Sequence, residues 1–572
     1  MGNQVRSPDG LVRNIQESVV ELGWPGFFAV LLFVCISTRI ITGLQSGKAE
    51  NEQPRRVRLV PYWFPWIGHG FSFIWNHVSL VGGARDRMAE PVMGIYMGGK
   101  KHVTVTSPSL ARSVMSSRSA GSTALVHHAL KAVFGDRGPL RNLDPANAEN
   151  YHHAIPNTFK REPFLSEASA SLVRAIERDS PKLVTFCHSV VDQELWERNS
   201  DLEVVDSKGK QACEVSLFAL LRNFVGHATT TTLMGQAILE EFPTLLDDVW
   251  KLDDWFPIMA LGLPRWIVIP GLPAAYAARD RLLGALAEFQ QAFNHWDDGV
   301  DPGIKFRDLD DVCEPIKQRI RLSKSAGLSP QSSAPGHLSL LWAMNGNAPN
   351  IVFWHILRLF ADPTLLADVR KEIASYVKAS RPTPEETGFP FQEAARISID
   401  ADGLFKSCHL LKASYYETLR LDTANLSFRE FTSDVTISES EADAKIAGSE
   451  QPRSYQVKKG ASVAISHGAI HTDPRYFSNP SQFDPLRFIL ADPQTGAKQA
   501  RLHTINPFGL GPSDCKGRAF AEREVLSMTS AVISLWDIES VNGEDLSLPA
   551  HRLSTGVYLP KKDIRVRVSA RV

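Results

Sequence analysis

The sequence predicts a mainly α-helical fold with small β-sheets, preceded by one membrane-spanning helix, and three features carry that expectation. Apolar side chains return at helical spacing from about residue 165 to 300, and again at Ala521, Val525, Met528, Val532 and Leu535, in steps of four and three. Short Val/Thr-rich runs such as Val103-Thr104-Val105, between residues 85 and 125, have the composition of strands. Trp24-Pro25-Gly26-Phe27-Phe28-Ala29-Val30-Leu31-Leu32-Phe33-Val34-Cys35-Ile36 opens a strongly apolar stretch near the N-terminus.

In chain order, residues 1–23 form an N-terminal segment and 24–44 the transmembrane anchor. As a helix, Trp24–Leu44 covers about 30 Å, enough for a bilayer core if Arg39 extends its guanidinium to the interface. Arg39, Lys48, Arg55, Arg56 and Arg58 gather downstream, which keeps that side cytosolic, and no small-x-small site follows at which a signal peptide would be cut. Met1-Gly2 does not open a myristoylation signal, because Arg6 stands where that motif needs Ser or Thr. Residues 45–69 are a basic and Pro-rich hinge ending in Pro61-Tyr62-Trp63-Phe64-Pro65-Trp66-Ile67-Gly68-His69. Residues 255–270 are apolar and Pro-broken, which suits buried packing or a lid that dips into a membrane. Residues 322–337 and 436–456 are Ser/Gly/Glu-rich and read as surface loops.

With 62 Lys and Arg against 63 Asp and Glu, no global charge points to nucleic acid. Cys35, Cys187, Cys213, Cys313, Cys408 and Cys515 are scattered without Cys-x-x-Cys or Cys/His metal spacing, so neither a disulfide framework nor a zinc site is expected. Asn425-Leu426-Ser427 is a formal glycosylation sequon that a cytosolic domain would keep from the glycosylation machinery.

Chemistry concentrates in the last third of the chain. Asn506–Arg518 is a Phe-x-x-Gly-x-x-x-Cys-x-Gly loop, with Phe508, Gly511, Cys515 and Gly517 at its fixed positions, and it runs into the helix of Ala521–Leu535. The positive end of that helix lies beside the sulfur and favours thiolate over thiol. Glu417-Thr418-Leu419-Arg420 continues a periodic stretch from Leu410, so a carboxylate and a guanidinium stand as neighbours on one helical face. Phe483-Asp484-Pro485-Leu486-Arg487-Phe488 follows.

In this order and spacing the three resemble the haem-thiolate loop, the Glu-x-x-Arg and the Pro-x-Arg-Phe elements of the cytochrome P450 family, over about residues 60 to 565. The resemblance implies the P450 fold, one haem-thiolate catalytic domain over 70–572, and haem b with Cys515 as axial ligand to its iron. Phe508 would shield the sulfur, Gly511 and Gly517 would permit the tight turn, and Glu417, Arg420 and Arg487 would form a buried cluster. Arg429, nine residues after Arg420, stands where the family commonly pairs an arginine with a haem propionate. The basic residue that many members carry two before the cysteine is Ser513 here, so that contact is missing or supplied by Lys160 or Arg161. Lys516, Arg518 and Arg523 would make a basic face for a separate NADPH-cytochrome P450 reductase.

Leu338–Leu357 sits where the family's long helix crosses the distal haem face. Most members hold an acid–alcohol pair there that relays protons; the aligned pair here is Gly346-Asn347, the catalytic candidates. The pattern around Trp342, Asn347 and Pro349 is similar to the branch holding sterol 7-hydroxylases, sterol 12-hydroxylase and prostacyclin synthase. Pro349 has no N–H for the carbonyl of Asn345, so the helix must kink or open beside the haem. Asn347 can donate or accept but cannot titrate, which leaves proton delivery to ordered water. The resemblance thus implies a single-pass protein of the endoplasmic reticulum membrane, its catalytic domain cytosolic, that oxidises an apolar small molecule: a terpenoid, sterol or lipid-like polyketide, in biosynthetic tailoring. An isomerase or dehydratase of a peroxide substrate, needing no external electrons, and a haem-binding protein without turnover are the alternatives.

Overall fold

The structure, a computed structural model, describes residues 8–47, 53–207, 210–263, 267, 269–388, 393–423, 425–492, 496–502 and 505–572. The chain divides into two units, Met1–Gly121 with Ser427–Ile470, and Ser122–Leu426 with His471–Val572.

The first unit begins with helix α1 (Pro8–Ser46), whose stretch Trp24–Ser46 is 23 residues long and apolar enough to cross a membrane by length and composition. Its far end is fastened to the hinge. Tyr62 donates its N–H to Thr42 Oγ1 at 3.2 Å, Arg58 donates to the carbonyls of Ser46 and Gly47 at 3.2 and 2.8 Å, and the Arg39 guanidinium lies 5.6 Å over the Trp63 ring. After α2 (Gly70–Met88) comes a six-stranded sheet in the order Arg58–Leu59, Val92–Met97, Lys100–Val105, Ser462–Ser466, Leu426–Phe431, Ala120–Gly121. The strands expected between 85 and 125 are therefore present, but a helix over Pro108–Ser116 separates them, because Leu110, Ala111, Val114 and Met115 bury one helical face. Residues 436–456 are not a loop. Val435–Ser438 pairs antiparallel with Ser454–Val457 around a short helix, Glu441–Ile446. The buried Glu439–Arg453 pair at 2.8 Å and the Asp443 carboxylate, which accepts from Ser107 Oγ at 2.7 Å and Ser109 N at 2.8 Å, hold that hairpin in place.

The second unit is a helical assembly: α3 (Phe164–Asp179), α4 (Leu217–Met234), α5 (Leu245–Ala260), α6 (Leu272–Asp297), α7 (Glu314–Ser325), α8 (Pro330–Asn345), α9 (Ala348–Phe360), α10 (His409–Leu421) and α11 (Arg518–Leu535). All of α9 is buried, at the centre of an apolar core shared with α3, α4, α10 and α11; a second core joins α5, α6, α7 and α8. Residues 322–337, expected as a loop, are the end of α7 and the start of α8. Ser329 caps α8 by accepting the Ser332 N–H at 3.2 Å and Pro330 occupies its first turn, so the Ser/Pro-rich composition marks a helix start. The helical run of 165–300 is interrupted by Glu203–Ser207 and Lys210–Ser216, which form a four-stranded sheet with Trp536–Ser540 and Arg565–Ala570. Those partners lie more than 300 residues away, and local periodicity cannot register them. Of the apolar segment 255–270, residues 255–260 complete α5 with Phe256 and Met259 buried, while 264–266 and 268 lie outside the described residues.

Candidate active site

The loop before α11 is shaped by two left-handed glycines, Gly509 with φ 68° and Gly511 with φ 71°. They turn the chain so that the Cys515 N–H reaches back to the Phe508 carbonyl at 2.8 Å. Gly517 caps α11 in an ordinary conformation, and a Cβ there meets nothing within 4 Å, so this glycine answers no steric demand in the described structure. Phe508 lies under the Arg518 guanidinium, 5.3 Å from its ring centre. Lys160 Nζ donates to both Asp514 oxygens at 2.6 Å, and Lys516 Nζ adds a contact at 3.0 Å. Lys160 is therefore engaged by the Cys515 loop itself. Arg523, read as part of a basic face, turns inward to the Leu165 carbonyl at 3.2 Å and Ser169 Oγ at 3.0 Å.

Cys515 is solvent-exposed, yet the protein around it pushes its thiol pKa up. Loss of bulk water outweighs the Gly517 N–H and the nearby Lys160 and Arg518 charges, as happens to a group on the wall of a concavity. The helix end does favour thiolate, as the sequence implies, but loss of bulk water at the surrounding walls outweighs it. A cation at the sulfur would supply what the helix does not.

Glu417, Arg420 and Arg487 come together. Arg420 grips Glu417 through Nε and a terminal nitrogen, both at 2.7 Å, and Arg487 Nε adds a third bond at 3.1 Å. Arg420 also donates to the carbonyls of His471, Pro480 and Gln482, while Asp484 N–H reaches Glu417 at 3.0 Å. Glu417 and Arg420 are fully buried, so this is a closed, saturated cluster that ties α10 to the segment 471–488.

Of the two outcomes expected from Pro349, a kink or an opening, the helix takes the second and opens at Gly346-Asn347. Asn347, at φ −127° and ψ −44°, separates α8 from α9, and Pro349 falls in the first turn of α9, where a missing N–H costs nothing. Gly346 is held against Trp342: a Cβ would stand 3.0 Å from its carbonyl oxygen and 3.1 Å from its indole. Trp342 is fixed in turn, its Nε1 donating to Asp253 Oδ1 at 2.9 Å and its ring stacked 4.4 Å from Phe256. Asn350 Nδ2 takes the Gly346 carbonyl at 2.9 Å, and Asn347 Oδ1 accepts the Val557 N–H at 3.0 Å. Neither contact was legible in the sequence.

Arg429 belongs to the first unit. It is buried, donates to the Phe428 carbonyl at 2.8 Å, and has no carboxylate partner among the described residues. Burial lowers its pKa, and burial followed by the Arg429 charge lowers neighbouring His467 to about 4. A buried guanidinium in such surroundings calls for an anion.

One buried acid had no signal in the sequence. Glu524, on α11, is bonded to Thr229 of α4, and burial raises it to about 8. Its folded pKa exceeds the unfolded value of about 4.3, so the stability it contributes is complete below that value and is lost as pH rises through about 8. Glu524→Gln is expected to flatten the fall of melting temperature between about pH 5 and 8; parallel profiles for the two proteins would show that Glu524 ionises without cost.

The family model described as Cytochrome P450 matches residues 59–568. A protein of Penicillium oxalicum, "Cytochrome P450 monooxygenase poxD", is 25% identical over 86% of this chain and 89% of its own length. "Cytochrome P450 7B1" of Mus musculus is 23% identical over 97% of this chain and 98% of its own, and "Cytochrome P450 7A1" of Rattus norvegicus is 24% identical over 94% and 97%. The family implies a haem-thiolate iron cofactor and a redox partner. Within the second unit the residues present fit such a group, with an accessible sulfur in Cys515 and an aromatic ring at Phe508 in the same loop. With the model spanning nearly all of the sequence and monooxygenases among its full-length relatives, the chain belongs to the cytochrome P450 family and is a P450 monooxygenase.

Proposed function

We propose that this monooxygenase is anchored in the endoplasmic reticulum membrane by α1, with its catalytic domain in the cytosol, and hydroxylates an apolar terpenoid, sterol or lipid-like polyketide in a biosynthetic pathway. Cys515 would hold the haem iron through its sulfur, Phe508 would shield that sulfur, Arg429 would pair with a propionate, and Gly346 and Asn347 would shape the oxygen side. When bound, the haem supplies oxygen activation for insertion into a C–H bond. Everything else falls to side chains: the Glu417 cluster holds the segment 471–488 on α10, and Asn347 offers a hydrogen bond where most members place an acid–alcohol pair. The observation that carries the reading is the opened helix at Gly346-Asn347, an amide without a titratable neighbour in the pair, in a chain whose relatives include a "25-hydroxycholesterol 7-alpha-hydroxylase" of Rattus norvegicus.

That same missing acid supports a second reading, rearrangement of a peroxide without external electrons. Purified protein with reductase, NADPH and a panel including cholesterol and 25-hydroxycholesterol separates the two. Product that depends on NADPH supports the oxygenase; product from a lipid peroxide at full rate without NADPH overturns it, and no product from either leaves a haem-binding protein without turnover.

Anchoring has its own prediction. Trp24–Ser46 is the apolar stretch long enough to span a bilayer among the described residues, so deleting residues 1–44 is expected to move most of the protein to the soluble fraction after carbonate washing. Equal retention of truncated and full-length chains would show that α1 is not the dominant anchor.

A further inference from the structure

The amide of Asn347 is held from the far end of the chain. A backbone N–H only donates, so the group facing Val557 N must be the Asn347 oxygen, and the NH₂ points elsewhere without a partner among the described residues. Val557 lies in the turn joining His551–Arg552 to Leu559–Pro560, and Asp422 fastens the base of that turn. The fully buried Asp422 carboxylate accepts from Arg358 at 2.5 and 2.8 Å and from His551 Nε2 at 2.8 Å, which places the proton of His551 on Nε2. Its backbone carbonyl accepts the Tyr558 N–H at 2.8 Å, and Thr423 bridges Val557. His551 stacks on Tyr558 at 4.3 Å, and Trp354 of α9 donates to the Tyr558 carbonyl at 2.7 Å. The fit at Asn347 is tight: a Cβ on Gly556 would stand 2.2 Å from Asn347 Oδ1.

We propose that Asp422 and His551 are positioning residues for Asn347: they fix the 551–558 hairpin, whose Val557 N–H takes the amide oxygen, so that Asn347 presents only its NH₂ to the reacting partner. This rests on the reading of Asn347 as part of the oxygen side. A group that only donates selects an acceptor oxygen, from substrate, water or a diatomic ligand, over a donor. A freely rotating asparagine would accept either. The clamp therefore does the work of orientation that a titratable acid does not need.

Carbon monoxide is the probe, because its oxygen is an acceptor and its stretching frequency in the reduced, CO-bound protein falls when a donor approaches. In the full-length, haem-loaded protein Asn347→Ala is expected to raise that frequency. Gly556→Ala, which displaces the amide, and His551→Leu, which removes the donor to Asp422, are expected to raise or split the band in the same direction with haem loading retained. His551→Gln, whose amide can still donate to Asp422, is expected to restore it. Gly556→Ala combined with Asn347→Ala should equal Asn347→Ala alone, since both act through one group. A band moved by Asn347→Ala but unmoved by Gly556→Ala and His551→Leu would overturn the clamp. An additive double variant would also overturn it. A band unmoved by Asn347→Ala would overturn the oxygen-side reading of Asn347, and the clamp with it.

Discussion

Glu417→Ala is expected to abolish accumulation of haem-loaded protein. The substitution removes the carboxylate that pairs with the fully buried Arg420, leaving its guanidinium held by three backbone carbonyls. Truncating one partner of such a pair costs about 3–5 kcal/mol, against a total folding stability of about 5–15 kcal/mol. Arg487 and the Asp484 N–H lose the same acceptor, so the segment 471–488 keeps only the Arg420 bonds to its carbonyls as its polar tie to this part of α10. Haem content per protein and melting temperature measure the effect. Glu417→Gln, which keeps two acceptor sites on one oxygen but no charge, should fall between wild type and alanine. A Glu417→Ala protein that loads haem and melts like wild type would show that the cluster does not carry the fold.

What the sequence disclosed and what it hid differ by distance along the chain. Glu417 and Arg420 are three residues apart on one helix, and their pairing follows from helical geometry alone; Arg487 joined them through a recognisable second motif. The Cys515 loop is equally local, its glycines and cysteine within ten residues of one another. The clamp on Asn347 links residues 210 apart, the Asp422–His551 contact spans 129, and Lys160–Asp514 spans 354. None of these side chains stands in a pattern that periodicity or spacing can flag. The sulfur's protonation followed the same rule. The helix end beside Cys515 could be read from the sequence, whereas the loss of bulk water that outweighs it is a property of the assembled walls. Composition misled at 322–337 and 436–456 because Ser and Gly mark caps and hairpin turns as often as loops.

Cys515→Ser is expected to abolish both the thiolate-type spectrum of the reduced, CO-bound haem and turnover. The loop should keep its shape, because the bond that closes it runs from the backbone N–H of residue 515 to the Phe508 carbonyl and the turn is set by Gly509 and Gly511. What changes is the donor. Loss of bulk water at the surrounding walls raises the Cys515 thiol pKa, and a thiol that coordinates a metal ion gives up its proton. A serine hydroxyl starts far more basic and is a weaker donor to iron, so the same charge compensation does not yield an equivalent ligand. Cys187→Ser serves as the control, since among the described residues that half-buried thiol bonds only to the Thr185 carbonyl and should leave the spectrum untouched. If Cys515→Ser retained the thiolate-type band, the ligand would have to be another of the six cysteines, and the geometry of the 506–518 loop would lose its functional meaning.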